Sequence, residues 1–456
     1  MTTAQSVLDL IGNTPIVELR QIDTGPCSLF VKLENQNPGG SIKDRIGLSM
    51  IEAAERDGRL KPGGTIVEAT AGNTGLGLAL VAGQKGYRLI IVIPDKMSQE
   101  KIFNLKAMGA EIVLTRSDVG KGHPDYYQDK AAAIAARIPG ALHVNQFANP
   151  ANPLAHETGT GPEIWSQMAH EVDAVVCGVG SGGTITGLAR FFEKVSPQTE
   201  IVLADPKGSV LADYVESGEL KTEVGSWLVE GIGEDFIPPV CDLSRVKRAI
   251  TVDDEESFRT SREVLMKTGI LAGTSSGTLI AAALRYCREQ TRPRRVVTFV
   301  CDSGNKYMSK AFNDYWMFDQ GLLKRKQHGD LRDLISRPYE EGGTVTVQPT
   351  DTLMTAYSRM KLNDISQLPV VDDGQIVGLI DEADILLAVY DDRSKFAQPA
   401  AEAMTKRLET IEASTAIRDL LPIFDQGHVA IVKEGDRFHG LITRIDLLNY
   451  LRRSAA

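Results

Sequence analysis

Lys43 sits in Asn37-Pro38-Gly39-Gly40-Ser41-Ile42-Lys43-Asp44-Arg45, directly ahead of a helical run over 46–55. A lysine amine held at a glycine-rich helix entry can condense with an aldehyde. Pyridoxal phosphate (PLP) is the leading aldehyde cofactor, because its imine with lysine exchanges for an imine with an amino acid. A lone lysine is far more often a solvated surface cation. Three further segments shift that balance.

Thr70-Ala71-Gly72-Asn73-Thr74-Gly75 lies between an expected strand at 65–68 and an expected helix at 75–83. Free amides at a helix N-terminus suit a carboxylate, Asn73 can reach a ring hydroxyl, and Thr70 and Thr74 add hydroxyls. Alone, the segment is an ordinary Gly/Asn turn with a threonine cap. Cys177-Gly178-Val179-Gly180-Ser181-Gly182-Gly183-Thr184 lies between an expected strand at 174–177 and an expected helix at 186–195. The amides of Gly180, Ser181, Gly182, Gly183 and Thr184 can cradle a phosphate on the helix dipole. The same glycines satisfy the dinucleotide fingerprint, with Asp205 about twenty residues on as a ribose ligand, so an NAD-linked dehydrogenase is a competing reading. That reading leaves Lys43 and the Asn73 loop unused. Ala272-Gly273-Thr274-Ser275-Ser276-Gly277 precedes a helix expected from about residue 278. A Ser275 hydroxyl can bond a pyridine nitrogen, a neutral partner that favours β-elimination over transamination. Alone, Ser275 is an N-cap serine.

The elements that must position these groups alternate along residues 1–320. Short apolar strands at 65–68, 89–93, 111–115, 174–177, 200–205 and 295–300 interleave with helical runs at 75–83, 98–108, 127–137, 186–195 and 257–267. That alternation argues an α/β fold with a parallel, helix-covered sheet. At 456 residues the chain exceeds one compact core, so two or three domains are expected. A net charge of −10 argues against broad nucleic-acid or anionic-membrane binding. The first residues carry no secretory pattern, and the most apolar stretch, 75–93, is broken by Gln84, Lys85 and Arg88, so no membrane span is expected. Cys27, Cys177, Cys241, Cys287 and Cys301 are scattered, which fits a reduced cytoplasm with thiols as small core residues. The seven histidines form no ligand cluster, so no metal is expected.

A polar stretch from Lys324-Arg325-Lys326 to Gly342-Gly343 reads as a linker, taken as 321–342. An internal repeat follows. Residues 368–384 and 428–446 each read strand, turn, strand, helix, and neither copy could bury its apolar face alone. The repeat halves are 343–400 and 401–456.

Taken together, the four segments resemble the fold-type II PLP enzymes of the cystathionine β-synthase and cysteine synthase family, over residues 7 to about 320. Leu10-Ile11-Gly12-Asn13-Thr14-Pro15 opens the match. The resemblance implies two open twisted sheets, with residues of about 41–145 as a smaller mobile subdomain. It implies that Lys43 carries the Schiff base and acts as the proton carrier. Asn73 bonds the ring hydroxyl, residues 180–184 hold the phosphate, and Ser275 meets the pyridine nitrogen. Thr70, Ala71, Gly72, Asn73 and Thr74, with Gln146, would take the substrate carboxylate; Ala71 stands where the family usually has serine. Val229-Glu230-Gly231-Ile232-Gly233-Glu234-Asp235-Phe236 resembles the cystathionine β-synthase branch, with Glu230 and Gly231 facing the second substrate and Glu230 a candidate for the homocysteine ammonium.

The repeat resembles a Bateman module, a tandem of α+β CBS domains. Thr443-Arg444-Ile445-Asp446 matches its adenosine-ligand pattern, with Asp446 on ribose hydroxyls and S-adenosylmethionine or a nucleotide as effector. The same residues read equally as a capping box. No heme-binding extension precedes the PLP domain, so heme is not expected. The implied reaction condenses L-serine with L-homocysteine to L-cystathionine and water, with hydrogen sulfide as a further product, in a homodimer or larger homo-oligomer. Cysteine synthesis from O-acetylserine is the rival on the same scaffold. A non-catalytic adenosine-ligand sensor is the rival of another class.

Overall fold

The structure, a computed structural model, describes residues 3–70, 72–95, 97, 99–120, 122–220 and 224–454. The chain forms two compact units, residues 1–313 and 314–456. No described helix is long and apolar enough to cross a membrane.

The first unit holds two sheets. The larger runs in the order Ile16–Glu18, Ser28–Leu33, Arg295–Val300, Ala174–Cys177, Glu200–Pro206, Val246–Val252. Its first pairing is antiparallel and the rest are parallel. The smaller sheet is all parallel, in the order Glu111–Thr115, Arg88–Pro94, Thr65–Ala69, Leu142–His143. Ala174, Val175, Val176 and Cys177 are all buried, as expected of a parallel strand covered by helices on both faces. The single sheet implied by the alternation is thus two.

Four described strands of this unit fall outside the sequence-based expectation: Ile16–Glu18, Ser28–Leu33, Leu142–His143 and Val246–Val252. Ser28–Leu33 contains Lys32, fully buried, whose ammonium donates to Thr14 O, Glu163 Oε2 (2.7 Å) and Gln167 Oε1 (3.0 Å). Arg45, two residues past Lys43, donates to both oxygens of Glu34 (2.7 and 2.8 Å) and both of Glu163 (2.7 and 2.7 Å). Burial opposes ionisation of Glu163, but Arg45 and Lys32 outweigh it and hold its carboxyl at about 2. This paired network anchors the first turn of helix Lys43–Arg56 to the strand Ser28–Leu33.

That helix crosses helix Asn73–Lys85 at two glycines. A Cβ on Gly47 would lie 2.8 Å from Gly77 C, and one on Gly77 would lie 2.7 Å from Lys43 O. Only glycine allows the two backbones this close, and the crossing packs the Lys43 backbone against the helix that Asn73 opens.

Behind the Thr70–Thr74 turn lies Glu68, 1 % exposed. Burial pushes its carboxyl up to about 8, although backbone N–H groups of Gln146, Asn145 and Ala69 face it. Glu68 Oε2 has no hydrogen-bond partner among the described residues. The folded chain therefore holds this proton more tightly than the unfolded chain does. Its stabilising effect is complete below pH 4.5 and is lost as pH rises toward 8. Glu68→Gln is expected to remove this loss, gaining on the order of 3 kcal/mol over wild type across that window. Urea midpoints at the two ends check it; parallel curves for both proteins would refute the buried-acid reading.

The second unit builds the two repeats. Gln367–Asp372 pairs antiparallel with Gln375–Asp381, and Ala430–Glu434 with Arg437–Ile442, each followed by a helix, Glu382–Val389 or Arg444–Ser454. Both hairpins carry a register shift at matching places, Val370/Val371 and Val432/Lys433. Val371, Ile376, Ile431, Phe438 and Leu441 pack together where the repeats meet. The stretch expected as linker is partly structural: Leu331, Leu334 and Ile335 are buried with Ile411, Leu420, Val432 and Ile442 in the core of the second repeat.

Candidate active site

Lys43 is the first residue of its helix and is half-buried. Its backbone N–H donates to Ser41 Oγ at 3.2 Å. Burial pushes its amine below the usual lysine range, against the opposing pull of Cys301, Glu234 and Asp302. The preceding turn is stitched to the end of strand Arg295–Val300, since Ile42 N–H donates to Cys301 O at 2.8 Å and Ser41 bridges Asp302.

Asn73 opens the neighbouring helix, preceded by Gly72 at φ 136°. A Cβ on Gly72 would lie 2.5 Å from Lys101 Cδ, so glycine is required both for φ and for the lysine stem crossing it. Thr70 Oγ1 accepts the Gly72 N–H at 3.2 Å, and Thr74 Oγ1 donates to Gln146 Oε1 at 2.7 Å. Thr70, Gly72, Asn73, Thr74 and Gln146 are thus gathered in one loop cluster. Ala71 lies outside the described residues. Asn73 Nδ2 donates to Asp302 Oδ2 at 2.7 Å, and its Oδ1 accepts from Lys306 Nζ at 2.9 Å.

The glycine loop enters helix Gly183–Val195, three residues earlier than expected, with Gly182 as N-cap at φ 84°. Each glycine is sterically required. A Cβ on Gly180 would meet Gly231 O at 2.5 Å, one on Gly182 the Cys241 Cβ at 2.4 Å, and one on Gly183 the Asn152 Oδ1 at 1.8 Å. Asn152 Nδ2 donates to Ser181 Oγ at 2.9 Å, and His156 pairs through Nε2 with Thr184 Oγ1 at 3.3 Å and through Nδ1 with Thr160 Oγ1 at 3.0 Å. Burial, then Lys43 and Arg45, holds the His156 imidazole neutral. His156–Thr160 is a π-helical turn, a geometry that recurs at functional sites. An amide loop at the start of a thirteen-residue helix, with no room for a Cβ at Gly180, Gly182 or Gly183, fits a phosphate.

Helix Thr274–Arg288 begins before Ser275, with Gly273 as N-cap, so Ser275 is not the capping residue. Its side chain instead hydrogen bonds the Cys301 thiol, which also neighbours Lys43. Cys241 and Cys301 are half-buried beside these loops, whereas Cys27, Cys177 and Cys287 are core residues as expected. Asp205 is fully buried and accepts the Ala212 N–H at 2.9 Å, capping the helix Leu211–Ser217. That inward turn removes the acid a dinucleotide ribose needs.

Glu230 shares its carboxylate between Lys101 Nζ (Oε2, 2.7 Å) and Lys310 Nζ (Oε1, 2.7 Å). Burial opposes ionisation, but the two lysines win and hold Glu230 below the usual range. It is therefore engaged on both oxygens, with acceptor capacity left on each. Gly231 lies beside Glu230, its carbonyl against Gly180.

Thr443 and Asp446 belong to the second unit. Asp446 Oδ2 accepts both the Thr443 N–H (2.7 Å) and its hydroxyl, and Oδ1 accepts the Ser336 hydroxyl. The expected capping box is thus half formed, because the Thr443 hydroxyl donates to the acid rather than accepting an N–H. Asn152, His156, Lys101, Cys301, Asp302 and Lys306 were not among the sequence-based candidates. The short run from Cys301 to Tyr307, following a buried strand, was the one local signal for the last three.

A glycine-caged amide loop at a helix start, a half-buried helix-entry lysine and a neutral serine, set on one mixed and one parallel sheet, fit a fold-type II PLP-dependent enzyme. Comparison with known proteins agrees. The family described as "Pyridoxal-phosphate dependent enzyme" matches residues 7–302, and the CBS domain matches residues 331–391 and 400–453. The cystathionine beta-synthase of Dictyostelium discoideum is 36% identical over 98% of this chain and 92% of its own length, and that of Mus musculus 38% over 93% and 77%. A solved O-acetylserine dependent cystathionine beta-synthase from Helicobacter pylori superposes with TM-score 0.63 at 35% identity, covering 68% of this chain and 99% of that one. A hydrogen sulfide-producing enzyme from Fusobacterium nucleatum gives TM-score 0.63 at 38% identity over 67% and 100%. The chain belongs to the cystathionine beta-synthase family of PLP-dependent enzymes.

Proposed function

We propose that this chain condenses L-serine with L-homocysteine to L-cystathionine and water, with Lys43 holding PLP covalently and carrying the protons. The observation that supports the reading is Lys43 at its helix entry, its amine acting on the buried His156 that pairs with Thr184 of the 180–184 loop. PLP, when bound, supplies an electron sink for the substrate α-carbon. The amides of residues 180–184 would hold its phosphate, Asn73 its ring oxygen and Ser275 its ring nitrogen. The loop of Thr70, Gly72, Asn73 and Thr74, with Gln146, would bind the serine carboxylate. Lys43, kept readily neutral by burial, takes the α-proton and delivers it to the departing hydroxyl, which leaves as water. The homocysteine thiol gives its proton to Lys43 as its sulfur bonds to the serine β-carbon, and Lys43 passes that proton to the α-carbon.

In this reading Glu230 meets the homocysteine ammonium alongside Lys101 and Lys310. Rates of cystathionine formation with serine and with O-acetylserine test the assignment. A strong preference for O-acetylserine favours a second reading, cystathionine formation from O-acetylserine and homocysteine with acetate leaving, which the Helicobacter pylori relative motivates; no product from either sinks both. In the second unit, an adenosine-type effector would take the Ser336 position on Asp446 beside Thr443. Calorimetric titration with S-adenosylmethionine and with ATP tests this, and no heat with either rejects it. A homodimer is the proposed assembly, checked by light scattering.

A further inference from the structure

Lys306 lies in the turn Gly304–Tyr307 and is 6% exposed. Its ammonium donates to Gly39 O at 3.3 Å and to Gly40 O at 3.2 Å, the turn that leads into Lys43. It also donates to Asn73 Oδ1 at 2.9 Å. One buried cation thus joins the entry to Lys43 with the residue expected on the cofactor ring. On the other side of the Asn73 amide, Nδ2 donates to Asp302 Oδ2 at 2.7 Å, an oxygen that also accepts from the Tyr307 hydroxyl at 2.7 Å. The Asp44 carboxyl completes the clamp on the turn by accepting the Gly39 N–H.

An asparagine amide has one acceptor oxygen and two N–H hydrogens. With a cation on the oxygen and a carboxylate on one hydrogen, only one orientation survives. The flipped amide would point its NH2 at an ammonium and its oxygen at a carboxylate. The surviving orientation keeps the second N–H for another acceptor. We propose that Lys306 is a positioning residue: it locks Asn73 in the one amide orientation that can donate to the cofactor's ring oxygen, and holds the Gly39–Gly40 turn so that Lys43 stays in register. This rests on the roles of Lys43 and Asn73 proposed above.

The test compares purified holoenzymes. Lys306→Met keeps the chain length and removes every N–H; Asn73→Ala is the reference. The visible absorption of the bound cofactor reports protonation of its ring oxygen, which a purely structural loss would not shift. Lys306→Met is expected to move the spectrum in the same direction as Asn73→Ala and to lower kcat ~10-fold with little change in serine KM. Lys306→Arg, which keeps charged donors, is expected to recover most of the wild-type spectrum. Should Lys306→Met fail to fold, Lys306→Gln, whose shorter amide does not reach Asn73, carries the same expectation. A wild-type spectrum in the Lys306 variants, while Asn73→Ala shifts, overturns this inference and leaves the Asn73 assignment standing. A wild-type spectrum in Asn73→Ala overturns both.

Discussion

Lys43→Ala is expected to lose turnover by ~10³-fold or more while keeping the fold and melting temperature. Among the described residues no hydrogen bond or ion pair runs from its side chain. Its backbone N–H is satisfied by Ser41 Oγ, and the helix is anchored by Arg45 on Glu34 and Glu163. Removing a half-buried amine whose charge is disfavoured by burial costs the fold little. The lost rate is therefore chemistry. Two measurements separate the possibilities. Borohydride reduction of wild type followed by peptide mapping should place the cofactor on the peptide containing Lys43. The variant should bind cofactor without the lysine-linked visible band. Wild-type turnover in Lys43→Ala, or label on another lysine such as the buried Lys306, would remove Lys43 from the reaction.

Much of this site was readable locally, because each of its four segments is a loop at a helix entry, and loops of that kind carry their chemistry in contiguous residues. Gly180, Gly182 and Gly183 stand out in the sequence for the reason they are needed, which is the absence of a Cβ. The strand Ala174–Cys177 is equally legible, since a central parallel strand is apolar on both faces. The support beneath the loops was not legible. Asn73 and Asp302 are 229 residues apart in sequence, Asn73 and Lys306 233 apart, and Lys101 and Glu230 129 apart. No periodicity encodes such pairs. Ser28–Leu33 escaped expectation because Lys32 breaks its apolar pattern, and only the fold shows that Glu163 and Gln167 compensate that charge. The resemblance of its loop marks Glu230 as a candidate for the homocysteine ammonium; the two lysines that claim it come from distant segments.

The proposed phosphate cradle gives the other large effect. Gly183→Ala would place a methyl carbon 1.8 Å from Asn152 Oδ1. Asn152 cannot retreat freely, because its Nδ2 donates to Gln146 O at 2.8 Å and to Ser181 Oγ at 2.9 Å. The loop must therefore open, and the amides at the start of helix Gly183–Val195 lose their convergence on a single anion. Losing two charge-assisted hydrogen bonds lowers PLP affinity by ~10³-fold. Ser181→Ala removes one hydroxyl and adds no bulk, so its loss is expected to be nearer ~10-fold. Titration of the apoenzymes with PLP, followed by fluorescence, ranks the three proteins. Far-UV circular dichroism checks that Gly183→Ala still folds, as it should, because the disturbance is confined to the first turn of the helix. Equal affinities for wild type and Gly183→Ala would mean that the phosphate is held elsewhere. Lys43 and Asn73 would then have to be fitted to a cofactor bound in another pose.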